Sequence, residues 1–363
     1  MGSRDYGASL DIEHILQPAP VYMVGVRARV IVLLSCLIAC GSSPTDVKST
    51  IPTAAPASRP LLFVAPIYAC ALRADRSAFC WGDDETAADI KFNLPVNPPP
   101  GPFVTLSLSS DHACGLRPDR TIACWGGDDD EYGHSRPPAG QYIAVAAGDE
   151  HSCAIRTDKT IVCWGNDSSN RLAAPTGTFE SISADLLHSC AIGTDKHVAC
   201  WGNESWSRAP GGQFSSVQVR GGWACGLRPD HTAVCWGVDV TKEEDGVPMP
   251  NEKFTKLALA MTFACGLTLD QRIACWGVNH GGKATNPPAG TFIDVAVGLR
   301  FGCGLRTDHT IACWGKDHPD PIAPPAGQFE AIAGEHAMCA IRADRTLACW
   351  VNERLAATAP RNL

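Results

Sequence analysis

The chain has 363 residues, 45% hydrophobic, 19% charged and 7% aromatic, with 34 Gly, 27 Pro, 18 Cys and 10 Trp. That apolar fraction excludes general disorder, and a net charge of −8 excludes a generally basic nucleic-acid binder. Low charge with abundant Gly and Pro argues against a coiled coil, and so many cysteines point to an oxidising compartment or to metal.

The first elements are addressing signals. Val30 to Ala39 is an apolar run of about ten residues with Arg27 and Arg29 ahead of it. Such a run is too short to cross a bilayer and fits the hydrophobic region of a secretory signal. It ends Leu37-Ile38-Ala39-Cys40-Gly41-Ser42-Ser43, which resembles the lipobox of bacterial lipoproteins. The resemblance implies a diacylglycerol on the Cys40 thiol and cleavage that leaves this cysteine first. Residues 1–39 are then a signal peptide, with Met23 the more ordinary start. Residues 40–60, rich in Ser, Thr, Pro and Ala, form a lipidated flexible tether. The competing reading is a buried apolar strand that ends in Cys.

Residues 61–351 repeat one unit eight times, leaving 352–363 as a C-terminal tail. Sixteen cysteines fall into pairs with nine residues between partners. They are Cys70 with Cys80, Cys114 with Cys124, Cys153 with Cys163, Cys190 with Cys200, Cys225 with Cys235, Cys265 with Cys275, Cys303 with Cys313 and Cys339 with Cys349. First cysteines recur every 44, 39, 37, 35, 40, 38 and 36 residues, a period that means a solenoid, propeller or array. Each unit reads Cys, Ala/Gly, Leu/Ile, often Arg, then Asp, and closes on Cys-Trp. Nine intervening residues centre a hairpin on the Asp. In register, the cysteines face each other within disulfide reach, and the Leu/Ile faces an aliphatic residue. Zinc needs four converging ligands, usually from Cys-x2-Cys pairs, and none is present. Eight cross-strand disulfides follow.

An alternating segment precedes each first cysteine, as in Phe179 to Ala184 and Phe329 to Gly334, and reads as a third strand. Pro-Pro-Ala-Gly joints at 137–140, 287–290 and 324–327 precede that strand in three units. A three-stranded unit cannot bury both faces alone, whereas radial closure buries both and removes exposed edges. The tryptophans after the second cysteines are expected to pack over small residues of a neighbouring unit.

Units such as Pro138-Ala139-Gly140-Gln141-Tyr142, Ala146-Ala147-Gly148, His151-Ser152-Cys153-Ala154-Ile155 and Cys163-Trp164-Gly165 resemble the regulator-of-chromosome-condensation repeat. They are most like its short Cys-containing bacterial variant, similar to the propeller-type β-lactamase inhibitor protein. The resemblance covers about 61–351 and implies an all-β fold, a β-propeller of about three short antiparallel strands per repeat. The family most often has seven blades; the eight units here favour eight. It says little about function, because unrelated activities share such folds. No segment matches the exchange wedge of the family's eukaryotic founder.

Two rings of side chains stand out. The hairpin tips carry Arg76, Arg120, Lys159, Lys196, His231, Gln271, His309 and Arg345 where the family has Gly, at a place expected to need positive φ. With the Arg residues three after most first cysteines, they form a mildly cationic rim that could bind an anionic partner. The bland reading is Arg–Asp pairing between blades. A second ring lies just ahead of the first cysteines: Tyr68, His112, His151, His188, Trp223, Phe263, Phe301 and His336. Aromatic residues at half of these places indicate flat packing bodies, and no metal site is assigned. Acidic stretches at Asp83–Glu85, Asp128–Glu131 and Glu243–Asp245 read as solvated loops.

No nucleophile–base pair, phosphate loop or catalytic carboxylate pair emerges, so no catalytic residue and no cofactor is assigned. The expectation is a non-enzymatic protein-binding module. It would be monomeric, exported and lipid-anchored at the bacterial cell envelope or surface, with a protein partner and no nucleic acid. The alternatives are an inhibitor of an envelope or secreted hydrolase, and an envelope lyase or glycan-active enzyme with a site at the channel mouth.

Overall fold

A computed structural model describes residues 61–82, 95–127, 132–203, 208–242, 246–279, 284–315, 322–351 and 353–360. The signal peptide, Cys40, the tether and the three acidic stretches lie outside them.

Each repeat forms one antiparallel sheet with its strands in sequence order. Blade 1 consists of Leu61–Val64, Tyr68–Leu72 and Ala78–Gly82. The first strands of blades 2 to 8 are Thr105–Leu108, Tyr142–Ala147, Phe179–Ala184, Ser216–Arg220, Phe254–Leu259, Phe292–Val297 and Phe329–Gly334. The second strands are buried along nearly their whole length, as in Tyr68–Leu72 and Trp223–Leu227. That burial explains their mostly apolar composition.

The register within each hairpin is the expected one. Partner cysteines lie directly opposite each other in all eight blades. The disulfides join Cys70 to Cys80, Cys114 to Cys124, Cys153 to Cys163 and Cys190 to Cys200 in blades 1 to 4. In blades 5 to 8 they join Cys225 to Cys235, Cys265 to Cys275, Cys303 to Cys313 and Cys339 to Cys349. Their Cα atoms are 4.0–4.1 Å apart. The two sulfurs of a bridge are not equivalent, a difference that spacing does not record. Every first cysteine is fully buried in the second strand, whereas Cys124, Cys163, Cys200, Cys235, Cys313 and Cys349 are half-buried on the third. Cys80 and Cys275 are the buried exceptions. Two residues after the first cysteine, Leu116 faces Ile122 and Ile155 faces Ile161. Closing a loop this small stabilises each hairpin by roughly 2.5–3 kcal/mol in the chain-entropy account.

The core is divided among the junctions between blades. At the first junction, Cys70, Leu72 and Cys80 of blade 1 pack against Phe103, Leu106 and Trp125 of blade 2. The same composition recurs around the molecule, with Cys114 and Leu116 against Tyr142 and Trp164, then Cys265 and Leu267 against Phe292 and Trp314. At the last junction Trp81, Leu62 and Val64 of blade 1 meet Cys339, Ile341 and Leu347 of blade 8. The first strands also touch in succession, the last returning to the first. The ring therefore closes with eight blades, and each disulfide doubles as apolar packing surface for the next blade.

Three details differ from expectation. The small residues opposite the tryptophans belong to the same blade: Ala113 faces Trp125, Ser152 faces Trp164 and Gly302 faces Trp314. A Cβ on Gly302 would lie 2.4 Å from the Trp314 ring. The neighbouring blade instead supplies the disulfide. Blade 6 gains a short fourth strand, Gly246–Val247, paired to its third strand Ile273–Val278. Within the expected tail, Glu353–Thr358 is a short helix, with Leu355 buried in the junction of blades 8 and 1.

Candidate interaction face

The eight hairpin tips share one backbone solution. In blade 1 the Arg73 N–H donates to Ser77 O and the Arg76 N–H to Arg73 O, closing a tight turn. The residue after the aspartate then sits in the left-handed region. Arg76, Arg120, Lys159, Lys196, His231, Gln271, His309 and Arg345 have φ between 64° and 72°. This is a conformation in which a non-glycine residue costs about 1 kcal/mol. Two contacts offset that cost. The tip carbonyl turns toward the next blade and accepts its backbone N–H: Arg76 O from Phe103, Arg120 O from Tyr142 and Lys159 O from Phe179, at 2.7–2.8 Å. The pattern continues to Phe329 on His309. The aspartate Oδ1 accepts from the residue two places on, as from the Thr160 N–H at 2.9 Å and hydroxyl at 2.7 Å. These bonds hold the Asp75, Asp119, Asp158, Asp230, Asp308 and Asp344 carboxyls below their ordinary pKa.

Sequence reading missed both roles, although the recurring Asp-x-Ser/Thr signalled the second. Its bland alternative, Arg–Asp pairing between blades, is also revised. Arg117, Arg228, Arg306 and Arg342 instead stack over Phe103, Phe214, Phe292 and Phe329, with guanidinium carbons 5.0–5.3 Å from the ring centroids. The Arg272–Asp270 pair lies within a single tip.

Not all tip side chains are free of this framework: His231 Nδ1 lies 3.1 Å from Phe254 O, His309 Nδ1 lies 2.9 Å from Phe329 O, and Lys196 pairs with Glu180. Arg120, Lys159, Lys196, His231, Gln271 and His309 are exposed, and Arg76 and Arg345 half-buried. At the same end, the residue ahead of one first strand, two first strands and one tip present Val104, Ile143, Ile293 and Leu269, which are 47, 40, 42 and 52% exposed. Exposed apolar side chains also occur elsewhere, as Tyr132, Val238 and Met249; here they lie at the end that carries the tip cations.

The second ring is a packing device. Tyr68, His112, His151, His188, Trp223, Phe263 and Phe301 each start a second strand. Several reach into the next blade. The Tyr68 hydroxyl donates to His112 O at 2.9 Å, His151 Nε2 lies 2.9 Å from Ser189 Oγ, and the Trp223 indole donates to Ala260 O. Burial pushes the His151 imidazole down to about 3. His336 does not belong to this ring. The turn of blade 8 is one residue shorter, its Glu335 N–H bonding Ala337 O, so buried Ala337 takes the ring position.

At this opposite end the turns of blades 5 to 8 enclose a small cavity lined by Arg220, Ala260, Met261, Gly298, Leu299 and Glu335. Its volume, about 10 Å³, is room for one water rather than a substrate. Arg220 of blade 5 pairs with Glu335 of blade 8, both almost fully buried. Burial lowers the Arg220 guanidinium to about 10 despite the pull of Asp185 and Asp149. Burial and Arg220 together push the His336 imidazole down to about 3. A buried ion pair thus lies among the turns of blades 5 to 8.

Comparisons with known proteins agree with this geometry. Residues 142–171, spanning blade 3, match the family model of the regulator of chromosome condensation (RCC1) repeat. No curated protein matches the chain. The CRINKLY WD40 ectodomain of the Arabidopsis thaliana receptor kinase ACR4 is 24% identical with a TM-score of 0.53, covering 69% of this chain and 94% of that one. The ectodomain of the Physcomitrella patens receptor kinase CR4 is 23% identical with a TM-score of 0.50, covering 66% and 70%. The computationally designed Ika8 protein is 14% identical with a TM-score of 0.50, covering 80% and 94%. At these identities the likeness concerns the fold.

Proposed function

We propose that this chain, a β-propeller built of regulator-of-chromosome-condensation repeats, is a protein-binding module held at the bacterial cell envelope by a lipid on Cys40. The tip face is its docking surface. The observation that carries the reading is that the exposed tip cations Arg120 and Lys159 and the half-buried Arg76 and Arg345 share one end of the molecule with exposed Val104, Ile143, Leu269 and Ile293. Such a surface suits a partner that offers carboxylates around an apolar patch, since charge complementarity steers encounter and aliphatic contact supplies affinity. Eight disulfides fit an oxidising, exported setting. Among the described residues no helix is long and apolar enough to cross a membrane.

The test is capture from envelope extracts with the 41–363 fragment. It is run beside a variant in which Arg76, Arg120, Lys159, Lys196 and Arg345 are changed to Gln, and another carrying Ile143→Ser and Ile293→Ser. A partner retained by the parent, released by salt and lost with both variants supports the reading. Equal retention by all three would remove the tip face from consideration. Stoichiometric suppression of a hydrolase by the parent would convert the module into an inhibitor.

A further inference from the structure

Outside the tip face, one cluster of side chains has the composition of a metal centre. Ser109, Ser110 and Asp111 form the turn between the first and second strands of blade 2, and His112 starts the second strand. His134 comes from the connector between blades 2 and 3. The fold brings these together so that one ligand atom each of Asp111, His112 and His134 lies within 4.8 Å of the others. Asp111 Oδ1 is 2.9 Å from His112 Nδ1, Asp111 Oδ2 is 3.3 Å from His134 Nε2, and the two imidazole centroids are 4.6 Å apart. Ser109 Oγ sits at the same point, 2.7 Å from His112 Nδ1 and 2.9 Å from Asp111 Oδ1.

The surroundings orient these atoms as an outer shell does around a ligated metal. Ser152 Oγ lies 2.8 Å from His112 Nε2 and 3.4 Å from His134 O. His112 Nδ1 faces the Asp111 carboxylate. Either a proton on Nδ1 or a metal ion can bridge this 2.9 Å separation. His134 is held from behind, its carbonyl also accepting the Trp164 indole N–H at 2.8 Å. Gly127 makes room for it, because a Cβ there would lie 2.5 Å from His134 Nε2. His112 is fully buried and His134 nearly so, while the Asp111 side chain keeps 18% exposure, which leaves an entry path.

We propose that Asp111, His112 and His134 bind a divalent transition metal of the zinc class, with Ser109 Oγ or water completing the set. Two imidazoles and a carboxylate suit such an ion, whereas calcium and magnesium prefer oxygen ligands throughout. The ion fastens the blade 2–3 connector to blade 2.

The probe is Zn2+ added to the disulfide-intact, metal-stripped full chain, followed by gel filtration and metal analysis, with Co2+ as a spectroscopic substitute. One equivalent of Zn2+ is expected to be retained, and Co2+ should give the visible bands of a four-coordinate site with nitrogen ligands. Asp111→Asn and His134→Ala should each weaken binding ten-fold or more, and Gly127→Ala should do the same by displacing His134. Absence of a four-coordinate Co2+ spectrum in the parent protein would overturn the site and leave a hydrogen-bonded Asp–His cluster. Undiminished Zn2+ retention by the Asp111→Asn/His134→Ala double variant would place the ion elsewhere and equally overturn it. The Co2+ spectrum needs no variant, so misfolding of a substituted chain cannot shield the proposal.

Discussion

At the level of single residues, the tips carry side chains where backbone geometry alone asks for glycine. The left-handed φ of Lys159 costs about 1 kcal/mol, and its carbonyl latch to Phe179 does not depend on the side chain. Lys159→Gly is therefore expected to raise stability by about 1 kcal/mol, and Lys159→Val to lower it, read from urea unfolding midpoints. Partner retention should move the other way, because glycine removes the exposed ammonium. His336 makes a pH prediction. Its imidazole is held at about 3 in the folded chain, against about 6.5 when unfolded. Over that interval the unfolded chain binds the extra proton, so stability falls as pH drops from about 6.5 toward 3. Thermal unfolding across that range should show a shallower slope for His336→Gln than for the parent.

At the level of the strand and hairpin, the stabilising unit is a disulfide pressed under the next blade's tryptophan. Replacing Cys190 and Cys200 together by Ser should cost roughly 2–4 kcal/mol, since it frees a small loop and alters the surface beneath Phe214 and Trp236. Trp314→Ala should cost about 3–5 kcal/mol, losing its packing on Cys265 and Cys275 and its indole bond to Ala284 O. Guanidinium denaturation of each variant checks both figures. Hairpin register was legible because opposite residues lie close along the chain, so spacing alone dictates who meets whom. The bulges at Phe179/Ser181 and Phe292/Asp294 were not. They arise where the first strand must both latch the previous tip and pair with its own blade. The strand Gly246–Val247 is too short to show alternation.

At the level of the whole ring, the Arg220–Glu335 pair ties blade 5 to blade 8 across the end formed by the turns of blades 5 to 8. Glu335→Gln should cost about 3–5 kcal/mol, because it strands a buried guanidinium, while Arg220→Met with Glu335→Leu should be close to neutral. A double-mutant cycle in urea separates the pair's coupling from the cost of an uncompensated charge. Closure itself rests on the junction of Trp81 with Cys339, Ile341 and Leu347. Removing residues 322–363 would expose that apolar surface on blade 1 and leave two edges open.

By itself the sequence determined the hairpin, its register, the face each side chain takes and the number of units, because all of these depend on contacts between near neighbours along the chain. The positive φ at eight tips was legible for the same reason. Only the tertiary structure decided that the units close as a ring of eight and that the tip carbonyls of blades 1 to 7 serve the next blade. It also decided that Cys275 is buried where Cys124, Cys235 and Cys313 are half-buried, because burial on a third strand depends on what the rest of the molecule lays over it. His134 comes to Asp111, and Arg220 to Glu335, by the same kind of decision. Those contacts join positions from about twenty to more than a hundred residues apart. The cumulative twist and packing of whole blades sets such distances, and no local spacing records it.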